Sequence, residues 1–130
     1  MIYTLAVHGS PYQSMANQHA LSFARSCVLA KHSINRVFFY HDGVYAALGT
    51  RVPPQDEIDV TAEWQAFAAD NDVELCVCIA NALKRGILDE QEQTRYDEMS
   101  ANLAPGFVLV GLGQLIGAMA DSDRYIEFPG

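Results

Sequence analysis

Short, almost wholly apolar runs alternate along the chain with longer stretches in which apolar residues recur at helical spacing. The apolar runs predict strands at residues 2–7, 34–40, 73–79, 107–111 and 124–128. The stretches between them predict helices at residues 14–33, 57–71, 80–86 and 112–122. Strands that are apolar on both faces are typical of a parallel sheet buried between two layers of helices. The alternation therefore predicts an α/β fold with a mainly parallel sheet.

Polar residues mark the predicted ends of these helices. Ser14 is the expected N-cap of the first helix, and Asp56 or Glu57 suits the positive N-terminal end of the second. Gly86 is expected to end the third helix. Residues 87–106 are polar and mixed, so no ordered element is predicted there.

Length and charge narrow the class of protein. A chain of 130 residues, half of them hydrophobic, is expected to form one domain, residues 1–130. Its formal net charge of −8 disfavours direct nucleic-acid binding, because that affinity comes from Lys and Arg. No apolar run is long enough to span a membrane, and the N-terminal residues lack the basic start of a signal peptide. We therefore expect a cytoplasmic protein.

Polar side chains follow three of the predicted strands. His8 and Ser10 follow the first strand, His41 and Asp42 follow the second, and Cys78 lies at the end of the third. Sites in open α/β sheets lie beyond the carboxyl ends of the strands, so all five are candidates for one rim. Either histidine is a candidate base, although a lone histidine after a strand is more often a surface residue.

The chain has three cysteines, and an odd number in a cytosolic protein favours free thiols. Cys76 and Cys78 lie two apart on a strand, about 6.6 Å from each other, which is too far for a disulfide. A C-x-C spacing is not typical of zinc sites, and only His8 and His41 could complete one. Cys76 is best interpreted as a buried apolar residue, and Cys27, on or beside the apolar stripe of the first helix, as a core or partly exposed residue.

Cys78 differs because it stands where a strand passes directly into a helix. The free N–H groups of that helix would favour a thiolate, and Lys84 and Arg85 add positive charge one turn further on. From its position alone, Cys78 is compatible with two roles, a reactive thiol or a buried core residue. A third possibility is that "HGSPY", residues 8–12, binds a phosphate of a flavin or nucleotide, although Gly-Ser-Pro is common turn chemistry.

Four segments resemble the TusD/DsrE family of sulfur-relay proteins, in order and over almost the whole chain. They are "RVFFYHDGVY" (36–45), "PPQDEID" (53–59), "CIANALKRGILDE" (78–90) and "NLAPGFVLVGLGQLIGAMADSDRYIEF" (102–128). The chain departs from the usual family residues at Asn81, Gly117 and Ser122. Because of these departures, the resemblance does not define the surfaces that contact partner proteins.

The resemblance implies a three-layer α/β/α fold with five strands and a persulfide on Cys78, with no metal or organic cofactor. It also implies sister subunits of similar fold, as in TusBCD or DsrEFH hexamers, a donor carrier protein and an acceptor of the TusE or DsrC kind. The pathway would be 2-thiolation of the tRNA wobble uridine or, alternatively, dissimilatory sulfur oxidation. A non-catalytic assembly subunit is a further alternative. Two partner proteins must reach a carrier thiol, so Cys78 is expected not to be deeply buried.

Overall fold

The computed structural model describes residues 1–130 as a five-stranded sheet with helices on both faces. The strands are β1 (Ile2–Val7), β2 (Ser33–Phe39), β3 (Glu74–Cys78), β4 (Phe107–Val110) and β5 (Arg124–Phe128). The helices are α1 (Ala16–Leu29), α2 (Val60–Asn71), α3 (Ile79–Lys84), α4 (Glu90–Arg95) and α5 (Leu112–Ala120), and a 3₁₀ segment spans His41–Ala47. Each of these helices is too short or too polar to cross a lipid bilayer.

The strand order is β4-β3-β2-β1-β5, and every neighbouring pair is parallel. The last residues of the strands lie in register, with Val7 between Phe39 and Phe128, and Cys78 beside Val110. The predicted parallel α/β sheet is therefore confirmed, and the polar residues that follow β1, β2 and β3 share one edge.

The two faces of the sheet carry cores of very different size. Twenty-three buried residues form the larger core, which includes Leu5, Val37 and Trp64. The smaller core, on the opposite face, has five buried residues: Phe38, Cys76, Cys78, Val110 and Leu115. Because Leu115 belongs to α5, this helix covers the face that carries the two strand cysteines.

The first two helices begin later than the sequence predicts. The N-cap of α1 is Met15 and not Ser14, whose hydroxyl instead accepts a hydrogen bond from the Ala16 N–H at 3.1 Å. The N-cap of α2 is Asp59, whose carboxylate accepts from the Ala62 N–H at 3.1 Å. Asp56 and Glu57, which were expected to suit the positive N-terminal end of this helix, both precede its N-cap, because α2 begins at Val60 and not at residue 57.

Residues 87–106, for which no element was predicted, contain α4. Asp89 caps this helix by accepting a hydrogen bond from the Glu92 N–H at 2.8 Å. Asn102 holds the surrounding loop, since its side chain accepts from the Leu88 N–H and donates to the Gly86 carbonyl, both at 2.9 Å. These polar contacts order a segment that lacks apolar periodicity.

Candidate functional site

Cys78 is the last residue of β3 and the N-cap of α3. The strand and the helix are therefore joined without a loop, as the sequence predicts. The Cys78 side chain makes no hydrogen bond to the first N–H groups of α3, so the expected support of a thiolate by these groups is absent from the structure. Gly86 has a φ of 78° just beyond α3, which explains why a glycine ends this short helix.

The Cys78 side chain lies in the smaller core, and the residue is only 4% exposed. The expectation that this thiol is not deeply buried was therefore wrong. Cys78 shares its face of the sheet with Phe38 and Val110, and Leu115 of α5 covers the same cluster. These apolar neighbours leave little of Cys78 accessible to a reagent.

Cys76 is buried, as predicted, and of the two alternatives for Cys27 the structure shows the buried one; all three thiols are free. The Cys76 thiol donates a hydrogen bond to Glu74 Oε1 at 3.4 Å. Burial raises the pKa of Cys76 to about 12, and the Glu74 carboxylate contributes to the rise. Burial also raises the pKa of Cys27. Neither thiol is therefore prepared to act as a nucleophile at neutral pH.

The raised pKa of Cys76 predicts a loss of stability at alkaline pH. Unfolding returns the Cys76 thiol to a pKa of about 8.5. Its contribution to the free energy of unfolding is therefore complete below that pH and disappears as the pH rises towards 12. Between pH 7 and pH 10 the wild type should lose about 2 kcal/mol of unfolding free energy that Cys76→Ala does not lose. Urea titrations at the two pH values measure the difference.

Val77→Ala is the matched control, because it also truncates a buried side chain of β3 but removes no titratable group. Its pH-dependent loss should equal that of the wild type. Equal losses in wild type and Cys76→Ala would show that Cys76 does not hold its proton in the folded state.

Aromatic rings line the rim beside Cys78. The rings of His8 and His41 are 5.3 Å apart between centroids, and Tyr40 lies 4.4 Å from His41 and 5.7 Å from His8. The structure thus brings the two predicted histidines together. Burial lowers the pKa of His8, and His41 lowers it further, while Glu127 opposes the change. His8 is therefore neutral at physiological pH and able to accept a proton.

Asp42 and Arg85 form an ion pair, with Arg85 Nε donating to Asp42 Oδ1 at 2.8 Å. The sequence argument treated Arg85 as a free positive charge near Cys78. That interpretation was wrong, because Asp42, 43 positions away in the chain, neutralises it. The pair instead joins the 3₁₀ segment to the end of α3.

The loop at residues 8–12 is held by polar contacts within the protein. The His8 N–H donates to the Phe128 carbonyl at 3.0 Å, and the Asn17 amide donates to the Gly9 carbonyl at 3.0 Å. The Ser10 carbonyl accepts from the Ser14 N–H at 3.2 Å, which closes a turn before α1. A neighbouring cavity of about 490 Å³ includes the acidic residues 56 and 57 in its lining, and such a lining repels phosphate.

Sequence reasoning missed three polar residues of this edge. The Asn81 side chain accepts a hydrogen bond from the His41 N–H, and Tyr125 donates to Glu127 Oε1 at 2.8 Å. Burial and the Glu127 carboxylate raise the pKa of Tyr125. Glu127 became relevant only because β5 lies beside β1, and chain order does not reveal that position. No three His, Cys, Asp or Glu side chains lie close enough together to hold a metal ion.

Curated relatives match almost the full length of the chain. A protein of Vibrio parahaemolyticus named sulfurtransferase TusD homolog is 44% identical over 128 residues, which is 98% of each chain. Sulfurtransferase TusD of Cronobacter sakazakii is 42% identical, over 98% of this chain and all of its own. The putative sulfurtransferase DsrE of Allochromatium vinosum is 38% identical over 98% of each chain.

Solved structures share the fold at lower identity. The ychN protein from E. coli superposes with a TM-score of 0.76 at 19% identity, covering 98% of this chain and 100% of its own. Protein MTH1491 from Methanobacterium thermoautotrophicum gives a TM-score of 0.67 at 15% identity, covering 97% of each chain. The model of the DsrE/DsrF-like family matches residues 1–128. On this match and on the identity of its relatives, the chain belongs to the DsrE/DsrF-like family.

Proposed function

We propose that this protein is a sulfurtransferase that carries sulfane sulfur as a persulfide on Cys78. The observation that carries the proposal is the position of Cys78, a free thiol at the start of α3 on the carboxyl edge of the sheet. The names of the relatives, sulfurtransferase TusD and putative sulfurtransferase DsrE, support the reaction class. The raised pKa values of Cys27 and Cys76 favour Cys78 over these two thiols as the carrier.

The transfer is an exchange between a thiolate and a persulfide. The Cys78 thiolate attacks the outer sulfur of a donor R–S–SH, the donor S–S bond breaks, and R–S⁻ leaves while Cys78–S–SH forms. An acceptor thiolate then attacks the outer sulfur of Cys78–S–SH, and Cys78 leaves as a thiolate. Atoms and electrons balance in both steps without a metal, an oxidant or a reductant.

We favour a role in 2-thiolation of the tRNA wobble uridine over a role in sulfur oxidation. Two of the relatives described above are named TusD and one DsrE, and the tRNA pathway is the more widespread use of this chemistry. The net charge of −8 requires that another protein contacts the tRNA. In this role the chain receives sulfur from a small carrier protein and passes it to an acceptor of the TusE kind.

The exposed surface of α5 supports assembly with sister subunits of similar fold. Leu112, Ile116 and Met119 recur at helical spacing and are 48%, 62% and 40% exposed. An apolar stripe of this kind is costly in water and typical of an interface. We therefore propose a hetero-oligomer, and specifically a heterohexamer with TusB-like and TusC-like chains.

Ile116→Asp should prevent this assembly, because it places a charge in the centre of the apolar stripe. Val52→Asp is the matched control, since Val52 is 89% exposed and lies outside α5. The measurement is size-exclusion chromatography after co-expression with the two sister chains. An Ile116→Asp variant that still elutes with both sister chains would contradict an interface at α5.

The proposed function is tested by the intact mass of the protein after incubation with cysteine persulfide. We expect a gain of one sulfur, about 32 Da, that is lost on reduction with dithiothreitol. A protein that gains no sulfur, alone and in complex with its sister chains, is a non-catalytic subunit and not a carrier. Cys78→Ser is the control for sulfur that binds elsewhere on the protein.

A further inference from the structure

A groove of about 740 Å³ lies between the end of α3 and the chain that follows α4. Four hydrophobic side chains line it, namely Leu83 of α3, Leu88, Tyr96 and Met99. We call it the α3–α4 groove. It shares no lining residue with the rim around Cys78, so the proposed transfer of sulfur leaves it without a role.

Hydrogen bonds hold both sides of the α3–α4 groove in place. Gln93 Nε2 donates to the Glu98 carbonyl at 2.6 Å, and the Glu98 N–H donates to the Gln93 carbonyl at 3.0 Å. The chain after α4 is therefore folded back onto this helix. Asn102, which also lines the groove, ties Leu88 to Gly86. The groove is preformed, so a partner that enters it does not have to order this loop.

Two apolar side chains of the groove project into solvent. Met99 is 99% exposed and Tyr96 is 55% exposed. Tyrosine and methionine are enriched at protein interfaces, and the flexible methionine side chain adapts to the shape of a partner. A site for a small molecule instead buries most of its ligand among enclosed side chains. The exposure of this wall therefore favours a protein segment as the occupant.

The wall that carries these two side chains is acidic. Residues 89–98 contain five carboxylates and one basic residue, Arg95, which lies 3.6 Å from the buried carboxylate of Glu92. Asp97 and Glu98 are exposed and form no ion pair. The wall thus combines apolar contact area with negative charge that the protein itself does not neutralise.

The opposite wall does not cancel this charge. Lys84 is the one basic residue that lines the α3–α4 groove, and it balances only one of the two free carboxylates, Asp97 and Glu98. The whole chain has a formal net charge of −8. A surface of this kind attracts a basic segment and repels a second copy of the same acidic chain.

We propose that the α3–α4 groove docks a segment of a partner protein in which a large apolar residue is flanked by lysine or arginine. The apolar side chain packs against Leu88 and Met99, and the basic side chains face Asp97 and Glu98. This inference goes beyond the proposed function, since it holds whether or not Cys78 carries sulfur.

The test begins with a selection of random short peptides, displayed on phage, against the full-length protein. Peptides that bind elsewhere are first removed on a variant that carries both Tyr96→Ser and Met99→Ser. Both residues are exposed, so this variant should keep the wild-type Tm. We expect the enriched peptides to combine Leu, Ile, Phe or Trp with Lys or Arg. A selection that enriches no peptide, or that enriches acidic ones, would overturn the proposal.

The affinity of the most enriched peptide is then measured by fluorescence anisotropy. Met99→Ser should weaken binding at least about tenfold, as expected for the loss of an apolar anchor. Glu98→Gln should weaken it about threefold at low salt and less at high salt. The control is Val52→Ser, because Val52 is 89% exposed and lies outside the groove. Binding to Met99→Ser with wild-type affinity would mean that the peptide does not occupy the groove.

Sedimentation velocity identifies a second copy of this chain as the occupant. We expect Met99→Ser to leave the oligomeric state of the isolated protein unchanged. Self-association of the wild type that is lost in Met99→Ser would show that the groove holds another copy, and the proposal would be wrong. Failure of the proposed function is a separate result, because a protein that takes up no sulfur can still bind the basic peptide.

Discussion

Replacement of Cys78 by serine is expected to abolish sulfur uptake. The serine hydroxyl has nearly the same shape as the thiol, so the smaller core should remain filled, but an alcohol cannot form a persulfide. The rate of uptake should fall at least about a hundredfold, the size of loss seen when a nucleophile is removed. Intact mass after incubation with cysteine persulfide measures it.

The matched controls are Cys27→Ala and Cys76→Ala. Both also remove a buried thiol, and neither of these cysteines lies at a helix N-terminus. Both variants should take up sulfur at close to the wild-type rate. Uptake by Cys78→Ser that exceeds a tenth of the wild-type rate would mean that another thiol carries sulfur.

Gly43→Ala is expected to destabilise the protein by about 3 kcal/mol, at the upper end of overpacking effects. A Cβ at this position would lie 2.1 Å from the Val7 carbonyl oxygen, and Val7 is fully buried in β1. The Gly43 N–H also donates to the carbonyls of His8 at 3.1 Å and Tyr40 at 2.9 Å. The clash can be relieved only by moving the main chain of the 3₁₀ segment or of β1.

Gly113→Ala is the control for this substitution. Gly113 lies inside α5, and a Cβ there would meet no atom within 4 Å. Alanine should stabilise this helix by about 0.5–1 kcal/mol. Urea unfolding measures both variants, and a Gly43→Ala protein within about 0.5 kcal/mol of the wild type would disprove the close approach of Gly43 to β1.

Strands were the most predictable elements of this fold. The predicted spans 2–7 and 124–128 match β1 and β5. The parallel sheet followed from strands that are apolar on both faces. Helix starts were less predictable, since Asp56, Glu57 and Asp59 are all plausible caps and only the geometry of α2 selects Asp59.

The candidate site could be predicted in its parts but not in its contacts. The sequence placed His8, His41 and Cys78 at one edge, and the structure brings the two histidine rings together there. It did not reveal that Arg85 pairs with Asp42, because the two residues meet only through the order of β2 and β3 in the sheet.

The burial of Cys78 was unpredictable for a related reason. The apolar pattern of α5 shows that this helix packs on something, but not on which face of the sheet it lies. Leu115 covers the face of Cys78, while Ile116 of the same helix stays 62% exposed. A thiol in this position is largely shielded from solvent.

The most direct test of the central claim is to locate the added sulfur in the wild-type protein. Trypsin releases Cys27 in a short peptide, residues 26–31, but leaves Cys76 and Cys78 together in residues 52–84, so fragment ions must separate the two on either side of Val77. Our account predicts that the added mass of about 32 Da lies on Cys78 and that the other two cysteines stay unmodified. Sulfur on Cys76 or Cys27 with none on Cys78 would contradict it.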